Sequence, residues 1–145
     1  MIGVLILLAV VVATVGVGLW RRRTDGRLRP VAVTTTDLSS SSGGDRMTED
    51  DLRAPLGERA TLVQFSSAFC APCRTTRLVL DEVSTMLPGV AHVEVDAESR
   101  LDLVRRLDVR RTPTVLVLDD AGRVRTRASG APRKADVVAA LGELL

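Results

Sequence analysis

No charged side chain occurs between Met1 and Trp20. That run divides the chain into two parts that must fold by different rules. It is broken only by Thr14 and by glycines at Gly3, Gly16 and Gly18. Twenty such residues in a helix rise about 30 Å, the thickness of a bilayer's hydrocarbon core. Trp20 stands at the end of the run, where an indole favours the membrane–water interface. A secretory signal peptide is the competing reading, and it needs positive charge before the apolar run and a small-residue cleavage site after it. Here no Lys or Arg precedes the run, and Arg21, Arg22 and Arg23 follow it directly. Residues 1–20 are therefore expected to be an uncleaved, single-pass anchor in the cell membrane. Positive flanks stay cytoplasmic, so the N-terminus should face out and the rest of the chain should lie on the cytoplasmic side.

The anchor also accounts for the charge balance. The first thirty residues carry five arginines against Asp25, a net +4, which leaves −2 for the remaining 115 of the 145 residues. The basic character is thus a juxtamembrane property and gives no support for nucleic-acid binding. Aromatic residues are limited to Trp20, Phe65 and Phe69, with no Tyr, so base-stacking and sugar-stacking surfaces are not expected either. Residues 21–46 are rich in Arg, Thr, Ser and Gly, and Ser39–Ser42 with Gly43 and Gly44 read as flexible linker. A coil of about 25 residues spans on the order of 25–30 Å, enough to let a domain move near the membrane surface. Val31–Thr36 is β-prone and is a weaker candidate for a first strand.

Residues 47–145 read as one domain of roughly 100 residues, large enough to bury a core without staples. Thr48 before Glu49, Asp50 and Asp51 is a helix N-cap with an acidic first turn, and Pro55 and Gly57 should end that short helix. Thr61–Ser66 reads as a strand. Arg74–Leu87 reads as a helix whose apolar positions are Leu78, Val79, Val83, Met86 and Leu87. Ala91–Asp96 is a second strand. Ser99–Leu107 is a helix with Leu101, Val104 and Leu107 on one side. Thr114–Leu118 and Arg123–Arg127 form a hairpin about the Asp119–Gly122 turn, and Pro132–Leu145 is a closing helix. The order β-α-β-α-β-β-α predicts an α/β fold: a mixed central sheet with helices on both faces.

Both cysteines lie in Cys70-Ala71-Pro72-Cys73, between a predicted strand and a predicted helix. A cysteine at a helix N-terminus meets unpaired N–H groups and the positive end of the helix dipole, which stabilise a thiolate. Its pKa is expected to fall from about 8.5 into the range of roughly 3.5–7.5. A thiolate attacks disulfides, and a second cysteine one turn on can resolve the mixed disulfide. Pro72 suits the helix start, where its missing N–H costs no hydrogen bond. Arg74 adds positive charge.

This arrangement resembles the active site of the thioredoxin superfamily. The stretch Leu62–Arg74 (L-V-Q-F-S-S-A-F-C-A-P-C-R) is similar to that family's strand-to-helix turn, with Ala71 where Gly is usual. Arg111-Thr112-Pro113-Thr114, before an apolar strand, resembles the family's cis-proline loop. The Asp119–Gly122 turn and Gly130 fall where the family has its hairpin and a late glycine. The resemblance covers residues 48–145 and implies a thioredoxin-like fold behind the anchor. It implies that Cys70 is the attacking thiolate, Cys73 the resolving thiol and Pro113 a cis residue. It also implies that Thr112 offers its main chain to an extended substrate, beside Phe69, Ala71 and Pro72. The redox-active disulfide would be the only redox centre, with no bound organic cofactor and no metal. Partners would be protein disulfides and a recycling reductant or reductase, and the setting would be redox homeostasis.

Three positions depart from the pattern. Phe69 replaces the usual Trp. Gln64 stands where many members have a buried Asp that takes the resolving cysteine's proton, and a neutral amide cannot do that. His92 stands where a buried Lys is common. It reads either as a strand-edge histidine without a role or as an aid to proton transfer.

Other readings of the cysteine pair are weaker. A four-residue disulfide loop removes little chain entropy, so a purely structural bridge would stabilise little. Zinc needs at least three protein ligands, whereas a thiolate pair can hold Cu(I), which leaves a copper-handling role as an alternative. A redox-inert adaptor tethered to the membrane is another. Arg105, Arg106, Arg110 and Arg111 read as solvated helix and loop residues. The sharper alternative puts Arg110 or Arg111 beside the docking face, favouring acidic partners.

Overall fold

The computed structural model describes residues 2–24, 26–30 and 46–145. The N-terminal run forms one helix, α1 (Ile2–Thr24), and every side chain from Ile2 to Trp20 is exposed. Ile2–Trp20 is long and apolar enough to cross a membrane. The Val31–Thr36 and Ser39–Gly44 expectations lie outside the described residues.

Five strands form one sheet in the order β1-β5-β4-β2-β3. They are β1 (Arg29–Pro30), β2 (Ala60–Ser66), β3 (Val90–Asp96), β4 (Thr114–Asp119) and β5 (Val124–Ser129). β2 and β3 run parallel, with Gln64 opposite Glu94 and Leu62 opposite His92. The β2–β4, β4–β5 and β1–β5 pairs are antiparallel. The sheet is therefore mixed, as the element order requires. All seven residues of β2 are buried, because this strand is paired on both edges and covered on both faces. β3, at the edge, buries only its Val90 and Val95 positions.

Helices cover both faces. On one face α3 (Ala71–Met86) and α5 (Lys134–Gly142) bury Leu80, Val83, Val137 and Leu141 against Leu62, Val115 and Val117. On the other face α2 (Glu49–Leu52) and α4 (Leu101–Arg106) place Leu52, Leu103 and, just past α4, Leu107 against Val63, Phe65 and Leu116. Thr48 caps α2 as read from the sequence: its hydroxyl accepts the Asp51 N–H at 3.2 Å, and its own N–H donates to Asp51 Oδ2 at 2.9 Å. Asp51 also ties α2 to α4, through Arg106 Nη2 at 2.6 Å. Burial raises the Asp51 carboxyl, but the Arg106 and Thr48 hydrogen bonds outweigh it and hold it below the ordinary value.

Two helix faces differ from expectation. α3 begins at Ala71 rather than Arg74, and its buried stripe is Cys73, Thr76, Leu80 and Val83. Leu78 and Met86 are exposed. Steps of three and four residues carry the stripe from Cys73 through Leu80, which leaves Leu78 on the opposite side. At α4, Leu103 and, just past its end, Leu107 are the buried pair, one turn apart, and Leu101 is exposed.

The segment behind the anchor, read from the sequence as juxtamembrane and linker with a weaker strand candidate at Val31–Thr36, contributes a strand just before that candidate. Arg29 pairs with Arg127 and Pro30 with Thr126, so this segment adds a short edge strand to the sheet. Proline suits an edge because it has no N–H to offer to the ladder. Leu28 packs against the α3–α5 side of the core.

Candidate functional site

The site lies where β2 ends and α3 begins. After Ser66 the chain turns through Ser67 and Ala68, and the Cys70 N–H closes that turn on the Ser67 carbonyl at 3.2 Å. Cys70 is the N-cap of α3. Its sulfur accepts the Cys73 N–H at 3.2 Å, and its carbonyl accepts the same N–H at 3.1 Å. A capping sulfur faces the unsatisfied N–H groups of the first helical turn, which is where negative charge is best stabilised. Pro72 occupies that first turn, as expected.

Cys70 and Cys73 are joined by a disulfide, with an S–S distance of 2.03 Å and a Cα–Cα distance of 5.2 Å. The two sulfurs differ in access. Cys73 is buried at 3% exposure, whereas Cys70 is only partly buried. An incoming group therefore reaches Cys70 first. Phe69, immediately before it, is 98% exposed, and Ala71 and Pro72 are exposed behind it.

Thr112 and Pro113 reach the same place because they lead into β4, whose first residue, Thr114, pairs with Phe65 near the end of β2. The peptide bond between them is cis. The Ser67 and Thr112 hydroxyls lie 3.0 Å apart and join the two turns. The Pro113 carbonyl accepts the Gly130 N–H at 2.7 Å, so the loop after β5 also closes on this proline. Arg111 Nη2 donates to the Ser129 carbonyl at 2.6 Å, which puts Arg111 at the rim of this face. Arg110 instead pairs with Asp108 at 3.0 Å, in solvent.

Gln64 lies fully buried beneath the cysteines, and its Nε2 donates to the Cys73 carbonyl at 2.9 Å. Its Oε1 is buried with no hydrogen-bond partner among the described residues. His92 Nδ1 lies 2.6 Å from Asp81 Oδ1, a bond that fastens β3 to α3. A shallow cleft beside the cysteines is lined by Ser66, Cys73, Arg74, Arg77 and Glu94. There Ser66 Oγ donates to Glu94 Oε1 at 2.7 Å, and Arg77 Nη1 lies 3.3 Å from Glu94 Oε2. Sequence reasoning missed Glu94. The signal for it was the parallel register that sets it opposite Gln64, and register is invisible in a single strand's pattern. Among the described residues, no three of His, Cys, Asp and Glu gather as a metal site would need.

Residues 47–143 match the thioredoxin family model. The chain belongs to the thioredoxin family. Thioredoxin C-2 of Corynebacterium nephridii is 33% identical over 89 residues, a stretch covering 59% of this chain and 82% of that protein. Thioredoxin H5 of rice (Oryza sativa subsp. japonica) is 33% identical over 60 residues, covering 41% of this chain and 44% of that protein. Human thioredoxin domain-containing protein 2 is 35% identical over 71 residues, covering 47% of this chain and 13% of that protein. The chain thus spans less than half the length of the rice and human relatives. Among solved structures, Fasciola hepatica thioredoxin aligns with a TM-score of 0.54 at 22% identity, covering 61% of this chain and 84% of that one. At that identity the likeness shows the fold. The thioredoxin match begins at residue 47, so α1 and the strand at Arg29–Pro30 lie outside it.

Proposed function

We propose that this protein is a membrane-held thiol–disulfide oxidoreductase that reduces protein disulfides. The observation that carries this reading is the Cys70–Cys73 disulfide at the start of α3, facing the Thr112–Pro113 loop. In the reduced protein, the Cys70 thiolate attacks one sulfur of a substrate disulfide. That S–S bond breaks, a Cys70–substrate disulfide forms, and the other substrate sulfur leaves as a thiolate and takes up a proton. Cys73 then loses its proton and attacks the Cys70 sulfur. The mixed disulfide breaks, the second substrate thiol is released, and the protein is left as the disulfide seen here. Two electrons pass to the substrate, and a dithiol reductant must return them.

The exposed Phe69, Ala71 and Pro72 and the Thr112–Pro113 main chain form the docking face, with an extended substrate segment alongside Thr112. The dithiol supplies the whole reaction, so no cofactor and no metal enters it. Gln64 offers no carboxylate to Cys73, so the resolving step proceeds through water or more slowly. His92 is engaged by Asp81 and acts in holding β3 to α3. His92→Ala should therefore leave the pH–rate profile of exchange unchanged, and a displaced profile would give it a proton-transfer role.

In this reading the Ile2–Trp20 helix is the membrane tether; its length and apolar composition support a span, and the positive flank Arg21–Arg23 favours the cytoplasmic side for the domain. Intact cells treated with a membrane-impermeant reductant and then a membrane-impermeant thiol reagent should leave Cys70 unlabelled, and labelling would put the domain outside. The chemical test is trapping. In the full chain, Cys73→Ser should accumulate a covalent complex with a disulfide-bearing protein, and Cys70→Ser should not. Complex formation by Cys70→Ser instead would overturn the assignment.

A further inference from the structure

The contacts of residues 26–30 point to a role that a flexible linker would not have. The Gly26 N–H donates to the Ser129 carbonyl at 3.1 Å, the same carbonyl that accepts from Arg111. Gly26 is buried and has a φ of +79°, and a Cβ added there would lie 2.1 Å from the Ala131 carbonyl oxygen. Only glycine fits so close an approach in that backbone region. A Cβ on Gly130 would lie 3.1 Å from the Gly26 nitrogen, so the two glycines meet backbone to backbone. Gly130 in turn donates to the Pro113 carbonyl, and Thr112 reaches the Ser67 turn that carries Cys70. The chain leaving α1 is thus seated on the rim of the redox face.

Topology gives a second, independent point. Pro30 is paired with Thr126, while Arg46 bridges Arg123 and the Met47 N–H donates to the Gly122 carbonyl at 2.8 Å. The residues on either side of 31–45 are therefore both held at β5 and the turn before it. The chain is thus already held on the domain at Gly26–Pro30, before residue 31. Between the end of α1 at Thr24 and the seated Gly26 there is only Asp25, which at full extension adds about 3.5 Å. Residues 26–30 cover neither cysteine, since Phe69 stays exposed and Cys70 partly so.

We infer that residues 26–30 are a fixed strap that holds the Thr112–Pro113 face at the foot of the membrane helix, so that the protein acts on disulfides lying at the bilayer surface in membrane-bound protein partners. The inference rests on the membrane-held reductase reading above. Anchoring both partners to one bilayer raises their effective concentration, and a fixed orientation retains that advantage only for disulfides close to the surface.

The test uses the full chain in vesicles of phosphatidylcholine with a minor share of phosphatidylglycerol. The substrates are a disulfide peptide coupled to lipid through a short spacer and the same peptide free in solution. A short Gly-Ser insertion between Asp25 and Gly26 moves the strap away from the anchor. The same insertion after Leu38 lengthens only residues 31–45. The strap predicts that the first insertion lowers the preference for the lipid-coupled peptide at least about tenfold and that the second leaves it unchanged. Equal effects of the two insertions, or none from the first, would overturn it. Gly26→Val should unseat the strap and reproduce the first insertion. The Gly26 amide should resist hydrogen exchange alongside β5, and exchange at the rate of an open chain would also overturn the strap. A wild-type chain that reduces the free peptide but leaves the vesicles on alkaline washing overturns the membrane reading. One that stays in the vesicles and reduces neither peptide overturns the reductase reading.

Discussion

The two sides of the redox face are built in different ways. The Cys70 side is local: the Ser67 turn, the capping sulfur and Pro72 all lie within a few residues of one another. The Gly130 side is assembled from chain segments far apart in sequence, namely Gly26, Arg111–Pro113 and Ser129–Ala131. In the proposed reading, chemistry sits on the first side and placement on the second. The difference teaches that reactivity at Cys70 and access to it are separately tunable, because few atoms are shared between the two sides.

Breaking the local side should have the largest effect. Cys70→Ala should abolish disulfide exchange, a loss of at least about a thousandfold, with little change in the melting temperature of the reduced protein, because this side chain is only partly buried. Single-turnover reduction of a disulfide protein reads the loss. Retained turnover would move the chemistry elsewhere.

The helix beneath that side offers the next test. Leu80→Ala removes a fully buried side chain from the α3 stripe and should cost about 2–5 kcal/mol. Leu78→Ala, on the exposed face two residues earlier, should stay within about 0.5 kcal/mol. Thermal or denaturant unfolding of the full chain in detergent separates the two, and equal costs would contradict the observed stripe.

A smaller effect sharpens the role of the neutral amide. Gln64→Asp places a carboxyl in a fully buried site against the Cys73 carbonyl. Its pKa should rise above the ordinary value of about 3.9, and the resolving step should gain an ionisation that the natural chain lacks. The pH dependence of mixed-disulfide decay would show it, as a change of a few-fold. An unchanged profile would mean that position 64 takes no part in resolution.

A pH-dependent effect lies at the far end of the sheet. Burial raises the Asp119 carboxyl, but hydrogen bonds from the Arg123 N–H and guanidinium and from the Ala121 N–H outweigh it and hold it below its ordinary value of 3.8. A depressed carboxyl stabilises the fold fully above that ordinary value, and the stabilisation is lost as pH falls through the folded-state value. Asp119→Asn should cost about 1–2 kcal/mol at neutral pH and progressively less in acid. A cost independent of pH would assign the effect to packing.

The same contrast between local and distant construction decided what could be read from the sequence. The strands, the capping box at Thr48 and the C-A-P-C turn are written in neighbouring residues, and the structure has them at the expected places. Helix faces were read less well. Leu78 and Leu101 are apolar yet exposed, and hydrophobicity alone does not say which side meets the sheet. Glu94 joins the site only through strand register. The pairing of Arg29–Pro30 with β5 follows from tertiary contact alone. A stretch rich in Arg, Ser and Gly carries no periodic pattern that announces an edge strand.

The most direct test of the central claim is the redox equilibrium of the Cys70–Cys73 pair, measured on the full chain in detergent against glutathione or dithiothreitol buffers. The account of a reductase predicts a potential near that of thioredoxin, about −270 mV. A value near the oxidising end of the scale, about −120 mV, would make the protein a disulfide donor and contradict the account.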